Sequence, residues 1–194
     1  MKKYAAEGLG AGALTLMVGL SIAGSFPVPT PVLAALTLGL FVYSIGNISG
    51  SHINPAVTIG AWSIGKIKTV DAISYVIAQS AGAVIALLIL SRVVTMPELV
   101  IDASVLTGVA EMVGAFFFTF GIASVVYGKT PNPLSGVVVG GSLLLGIAFS
   151  VTMGANGVLN PAVAFGIGSF GLMYILGPIV GAVLGMQAYK HIQS

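Results

Sequence analysis

The chain has no cysteine, so disulfides and thiolate metal sites are excluded and nothing in it reports a redox compartment. Charge is almost as scarce. Asp, Glu, Lys and Arg make up 6% of the 194 residues, where a soluble domain carries about 25%. There is one arginine, Arg92, and the formal net charge of +2 is too small for a nucleic-acid surface. A pI near 9.0 reflects few charges, not a basic patch. The two histidines, His52 and His191, have no convergent acidic or thiol partners, so no metal site or cofactor is expected. Ser49, Ser51 and His52 are close in sequence, but no acid is placed to orient a base, and an enzyme is not expected. What remains is apolar: 57% hydrophobic residues and a mean hydropathy of +1.08, the composition of a membrane protein. The 27 glycines suit close helix packing in lipid better than long soluble helices.

Six stretches are long enough to cross a bilayer, which needs about 20 apolar residues. They are Tyr4–Gly24, Val32–Ser49, Asp71–Ser91, Ser104–Tyr127, Leu134–Thr152 and Leu172–Tyr189. Ser25-Phe26-Pro27-Val28-Pro29-Thr30-Pro31 joins the first two, and Gly128-Lys129-Thr130-Pro131-Asn132-Pro133 joins the fourth and fifth. Lys2-Lys3 ahead of an apolar run has the outline of a signal peptide, but Glu7 inside that run and its later counterpart argue against cleavage. With six spans, Lys2, Lys3, Lys66, Lys68, Lys129 and Lys190 fall on one side and Arg92 alone on the other. The excess of positive charge places both termini inside. Arg92 could also reach a pore mouth, though a loop-end charge is ordinarily just solvated.

The tripeptide Asn-Pro-Ala occurs twice, at Asn54-Pro55-Ala56 and Asn160-Pro161-Ala162. Asn followed by Pro is a good helix start anywhere. Two copies in matching places of a membrane chain say more. Ala6-Glu7 recurs as Ala110-Glu111, and Gly82-Ala83 as Gly181-Ala182, in the same order around each tripeptide. The repeats run over about 1–95 and 104–194, within a single transmembrane domain. Each holds three spans, an odd number, so the second is inverted relative to the first, and such repeats share a site at the bilayer midplane.

The segments that the tripeptides open, Asn54–Ile64 and Asn160–Phe170, are too short to span and read as re-entrant half-helices. Their N-termini would meet head to head, each with about half a positive charge and an Asn amide, a field that repels cations and protons while binding a neutral solute. The preceding residues, Gly50-Ser51-His52-Ile53 and Asn156-Gly157-Val158-Leu159, cannot all be helical, and their carbonyls are expected to form a ladder of acceptors along a pore.

With these motifs the chain resembles the aquaporin and glycerol-facilitator family, the major intrinsic proteins. The likeness rests on Ala6-Glu7, Ser49 through Thr58, Ala78 through Ala83, Ala110-Glu111, Asn160-Pro161-Ala162 and Gly177 through Ala182. It implies an all-α bundle of six transmembrane helices plus two half-helices in an inverted repeat, one pore per subunit, a homotetramer in the plasma membrane, and water and small neutral solutes as the cargo. It further implies that Glu7 and Glu111 hold the half-helix loops by accepting backbone hydrogen bonds. The side chain of His52 is expected to brace its loop.

By position relative to the motifs, the family's outer constriction falls on Ala34, Ala148, Gly157 and Val163. Water-selective members usually carry an aromatic, a His, a small residue and an Arg there. All four are small or apolar here, and Val163 stands where Arg is expected. The resemblance therefore implies a wide apolar filter, passing glycerol, urea, ammonia or gases as well as water. A strict water channel, a secondary transporter and a closed structural tetramer of the same fold are the alternatives. Trp62, Tyr75 and the series Gly177, Gly181, Gly185 read as packing residues.

Overall fold

The computed structural model describes residues 1–24 and 26–194. Ser25, in the first predicted connection, lies outside the described residues. The chain is helical: α1 (Lys2–Ala23), α2 (Thr30–Ser49), α3 (Pro55–Ser63), α4 (Thr69–Val93), α5 (Val105–Val126), α6 (Ser135–Thr152), α7 (Pro161–Gly166) and α8 (Leu172–Gln193), with a 3₁₀ turn over Asn132–Leu134. Six of these are long and apolar enough to cross a membrane, as the hydropathy predicts. Each half runs long, long, short, long.

The short helices differ from expectation in length. α3 has nine residues and α7 only six, about 13 Å and 9 Å of helix. The predicted half-helix Asn160–Phe170 therefore stops early. Both helices end in the same way. Gly65 and Gly168 take left-handed φ of 78° and 81°, and the next residue's N–H reaches back to Ala61 and Ala164 respectively. Such a left-handed stop commonly closes a helix where glycine stands just past its end, and Gly168 stands inside the predicted segment, ahead of Phe170.

Within each half the long helices cross on glycine. α1 packs on α4 where Gly8 and Gly12 meet Gly82, and α5 packs on α8 where Gly108 and Met112 meet Gly177 and Gly181. Across the halves, α2 packs on α6 through Gly39 and Gly136, α3 packs on α8, and α7 on α4. Each short helix is thus held by the long helix of the other half.

A Cβ on Gly82 would collide with the Gly8 carbonyl, whereas one on Gly46 would meet nothing within 4 Å. Gly82→Ala should therefore cost about 1–3 kcal/mol through overpacking. Gly46→Ala should be neutral or stabilising by up to about 1 kcal/mol. Thermal aggregation of the two variants in detergent measures the contrast, and equal midpoints would refute it.

Polar contacts place several helix ends together. Lys3 pairs with Asp71 at 2.8 Å, and Tyr4 donates to the same carboxylate at 2.8 Å. Lys66 sits over the Tyr127 ring, 4.3 Å from its centroid, and that ring stacks on Tyr189. The start of α1 and the end of α8 therefore share one end of the bundle. At the opposite end, residues 94–104 connect α4 to α5. There Asp102 accepts from the Ser104 hydroxyl at 2.6 Å and the Thr107 hydroxyl at 2.7 Å. These bonds hold its carboxyl below the usual carboxylate range.

Candidate functional site: two crossed asparagines under an apolar cavity

Each Asn-Pro-Ala motif starts its half-helix alike. Asn54 is extended, and its Oδ1 accepts from the Ala56 N–H at 2.8 Å. Asn160 Oδ1 accepts from Ala162 at 3.1 Å and Val163 at 3.4 Å. Pro55 and Pro161 occupy the first helical position, where a missing N–H costs nothing. Capping uses only the amide oxygen, so the Nδ2 groups are free to act elsewhere. Asn54 Nδ2 donates to the Leu159 carbonyl at 2.9 Å, and Asn160 Nδ2 donates to the Ile53 carbonyl at 3.1 Å. The motifs are cross-locked: each holds the carbonyl that precedes the other. One hydrogen of each Nδ2 remains uncommitted.

Those carbonyls face across the site because Ile53 and Leu159 are left-handed, with φ of 41° and 54°. Such a conformation costs about 1–3 kcal/mol for a side-chain-bearing residue and persists only where its surroundings enforce it. Two buried carboxylates do so. Glu7 accepts from the Ser49 hydroxyl at 2.6 Å, the N–H groups of His52 at 2.9 Å and Ile53 at 2.6 Å, and the Gln79 amide at 2.7 Å. Glu111 accepts from the Ser150 hydroxyl at 3.1 Å and the N–H groups of Val158 at 3.0 Å and Leu159 at 2.8 Å. Both glutamates are 0% exposed, and neither has a cationic partner among the described residues. Gly10 leaves room for the Ile53 side chain, and Gly114 with Gly146 for that of Leu159.

Other loop anchors escaped the sequence reading. The Tyr75 hydroxyl donates to the Ser49 carbonyl at 2.7 Å, and the Tyr174 hydroxyl accepts from the Asn156 N–H at 3.3 Å. Tyr75, read from sequence as a packing residue, thus also ties a loop. The two tyrosines are 99 residues apart, the spacing that relates Gly82 to Gly181, and that shared spacing was the available signal. The same spacing pairs Gln79 with Pro178, so Glu111 lacks the fourth donor that Glu7 has. His52 approaches the Thr58 hydroxyl at 3.2 Å through Nδ1 and meets the Tyr75 ring edge-on, which fixes its imidazole.

Between the asparagines and the end carrying the 94–104 connector lies a cavity of about 260 Å³. Leu14 and Val18 of α1, Leu38 of α2, Phe118 of α5, Leu143 of α6 and Ile167 form much of its wall. Its polar groups come from Thr30, His52, Asn54, Asn156 and Asn160.

Of the four positions expected at the constriction, Ala34, Gly157 and Val163 line this cavity. Ala148 does not. It is exposed on the outside of α6, while Leu143, Ile147 and Val151, one helical turn apart, face in. Counting back from the motif fails by one residue because Met153–Leu159 is irregular backbone, with Gly154 and Gly157 both at positive φ. Ile147 therefore lines the cavity where an alanine was expected.

Only some of the residues expected to offer carbonyls along a pore line this cavity. His52, Ile53, Asn156, Gly157 and Val158 border the cavity, whereas Gly50, Ser51 and Leu159 do not. The Leu159 carbonyl is taken by Asn54. Arg92 lies exposed in the last turn of α4, away from the cavity wall, where it suits the helix's negative end.

This arrangement has relatives. A family profile described as "Major intrinsic protein" matches residues 28–189. Aquaporin AqpM of Methanothermobacter thermautotrophicus is 31% identical over an alignment covering 96% of this chain and 91% of its own. Aquaporin TIP1-1 of Arabidopsis thaliana is 37% identical, with 80% and 68% covered. Among solved structures, an aquaglyceroporin from Plasmodium falciparum superposes with a TM-score of 0.67, covering 98% of this chain and 94% of its own. At 21% identity that last likeness is one of fold.

Proposed function

The chain belongs to the major intrinsic protein family, and on that premise we propose that it conducts water together with the smallest uncharged solutes through an apolar constriction. It is a multi-pass membrane channel for water and/or small solutes, not an enzyme. The finer reading rests on one observation: Val163 faces the cavity where the likeness leads one to expect an arginine, beside Ala34, Ile147 and Gly157. None of these four side chains carries a cation or a hydrogen-bond donor. Selection at that level is therefore by size, and rejection of charge falls to the midplane. There the uncommitted hydrogens of Asn54 and Asn160 meet the positive end of α3. The six-residue α7 adds little beyond its first-turn N–H groups.

A secondary transporter would need free ionisable groups within the membrane. Glu7 and Glu111 are occupied by loop donors, which supports the passive reading. The same proposal has the inverted repeats 1–95 and 104–194 forming one channel domain and the subunits assembling as homotetramers. It places them in the plasma membrane with both termini cytoplasmic, on the end bearing Lys2, Lys3, Lys66, Lys68, Lys129 and Lys190.

Purified protein in liposomes should pass water and ammonia readily, urea less, and glycerol least, with no proton leak. Stopped-flow light scattering with a pH-dye control measures this. Fast water flux with no solute permeation would favour a strict water channel and overturn the proposal.

A further inference from the structure

The cavity owes part of its wall to a residue outside both repeats. In the connector of residues 94–104, Val100 is 80% exposed and Ile101 45%, yet Leu99 between them and Glu98 turns inward and lines the cavity. Ile22 of α1, Thr30 and Pro31 at the start of α2, and Val151 near the end of α6 line the same cavity. All of these lie at the end of the bundle that carries the connector, so Leu99 lines the cavity at that end. Its placement is enforced on both sides. Asn156 Nδ2 donates to the Val100 carbonyl at 3.1 Å and to the Ser169 hydroxyl at 2.8 Å, which ties the connector to the loop of the second motif. Asp102 holds the next stretch to the head of α5 through Ser104 and Thr107.

We propose that Leu99 is a specificity-determining residue of this channel, a steric threshold at the outer mouth, and that Asn156 is the positioning residue that holds it there. The inference rests on the channel reading above. It also gives Asn156 a task besides the carbonyl it offers the pore: its side chain serves the connector. A solute must pass the isobutyl group before it reaches Val163, so large and small neutral solutes are separated at the entrance.

The absence of cysteine makes the test clean. Single-cysteine variants Leu99→Cys and Val100→Cys, reconstituted in liposomes, are treated with a membrane-impermeant methanethiosulfonate while water and glycerol flux are followed. Labelled Leu99→Cys should lose most of its flux, and labelled Val100→Cys should keep it. Leu99→Ala should raise the glycerol-to-water permeability ratio about ten-fold, the scale on which pocket-sized apolar groups discriminate. Asn156→Ala should raise it in the same direction, and the double variant should gain little more than either alone, as coupled residues do.

A labelled Leu99→Cys that conducts normally, or one that the reagent cannot reach, overturns the proposal while leaving the channel reading intact. An unchanged ratio in Leu99→Ala does the same. A wild type that conducts nothing, with Leu99→Ala equally silent, overturns both.

Discussion

Glu7→Ala should yield little or no folded protein. The side chain is fully buried and accepts four hydrogen bonds, from Ser49, His52, Ile53 and Gln79. Alanine leaves those donors without partners in a dry interior, at about 1–3 kcal/mol each. The sum rivals the whole stability of an ordinary domain, about 5–15 kcal/mol. It also frees Ile53 from its left-handed conformation, which turns its carbonyl away from Asn160. Glu7→Gln keeps the volume and one acceptor oxygen but aims an amide NH₂ at loop donors, so it should fall between. Glu111→Ala orphans three donors and should be the milder of the two alanine variants. Monodisperse yield and thermal midpoint in detergent give the ranking. A Glu7→Ala protein as stable as Glu111→Ala would mean that the fourth donor contributes nothing.

Val163→Arg should convert the channel toward water. Val163 is 3% exposed and shares the cavity wall with Ala34, Ile147 and Gly157. A guanidinium there adds five donors and a permanent charge to the wall of a cavity that Asn156 and Gly157 also line. Urea and glycerol flux should fall at least about ten-fold while water persists, because water alone is small enough to pass beside the new group. Val163→Met fills space without charge. If it lowers glycerol flux equally, size alone is responsible. An unchanged solute-to-water ratio in Val163→Arg would remove Val163 from the constriction.

The parts of the fold that the sequence displayed were those set by composition and local chemistry. Long apolar runs gave the six crossing helices to within a few residues, and Asn followed by Pro located the starts of α3 and α7. The parts it hid depend on irregular backbone. Ala148 was misplaced because the register between α6 and the second motif passes through two glycines at positive φ. The end of α7 was missed because Gly168, left-handed just past that end, lies inside the predicted segment Asn160–Phe170. Leu99 carried no signal, since a lone leucine in a connector looks the same whether it faces solvent or a cavity. Tyr174 is different. Its pairing with Tyr75 was visible in the repeat spacing, but a tyrosine in an apolar helix reads as packing until its hydroxyl has a partner.

The crossed asparagines also make each half depend on the other. Asn54 finds its acceptor 105 residues later, and the Ile53 carbonyl finds its donor 107 residues later. A first half newly inserted in the membrane therefore holds an unpaired amide and an unpaired carbonyl at mid-bilayer depth. Unsatisfied groups there cost several kcal/mol each. Those two groups find their partners only when the loop that opens α7 reaches the first half. The two motif loops thus share one condition for completing their hydrogen bonds, each supplying what the other lacks.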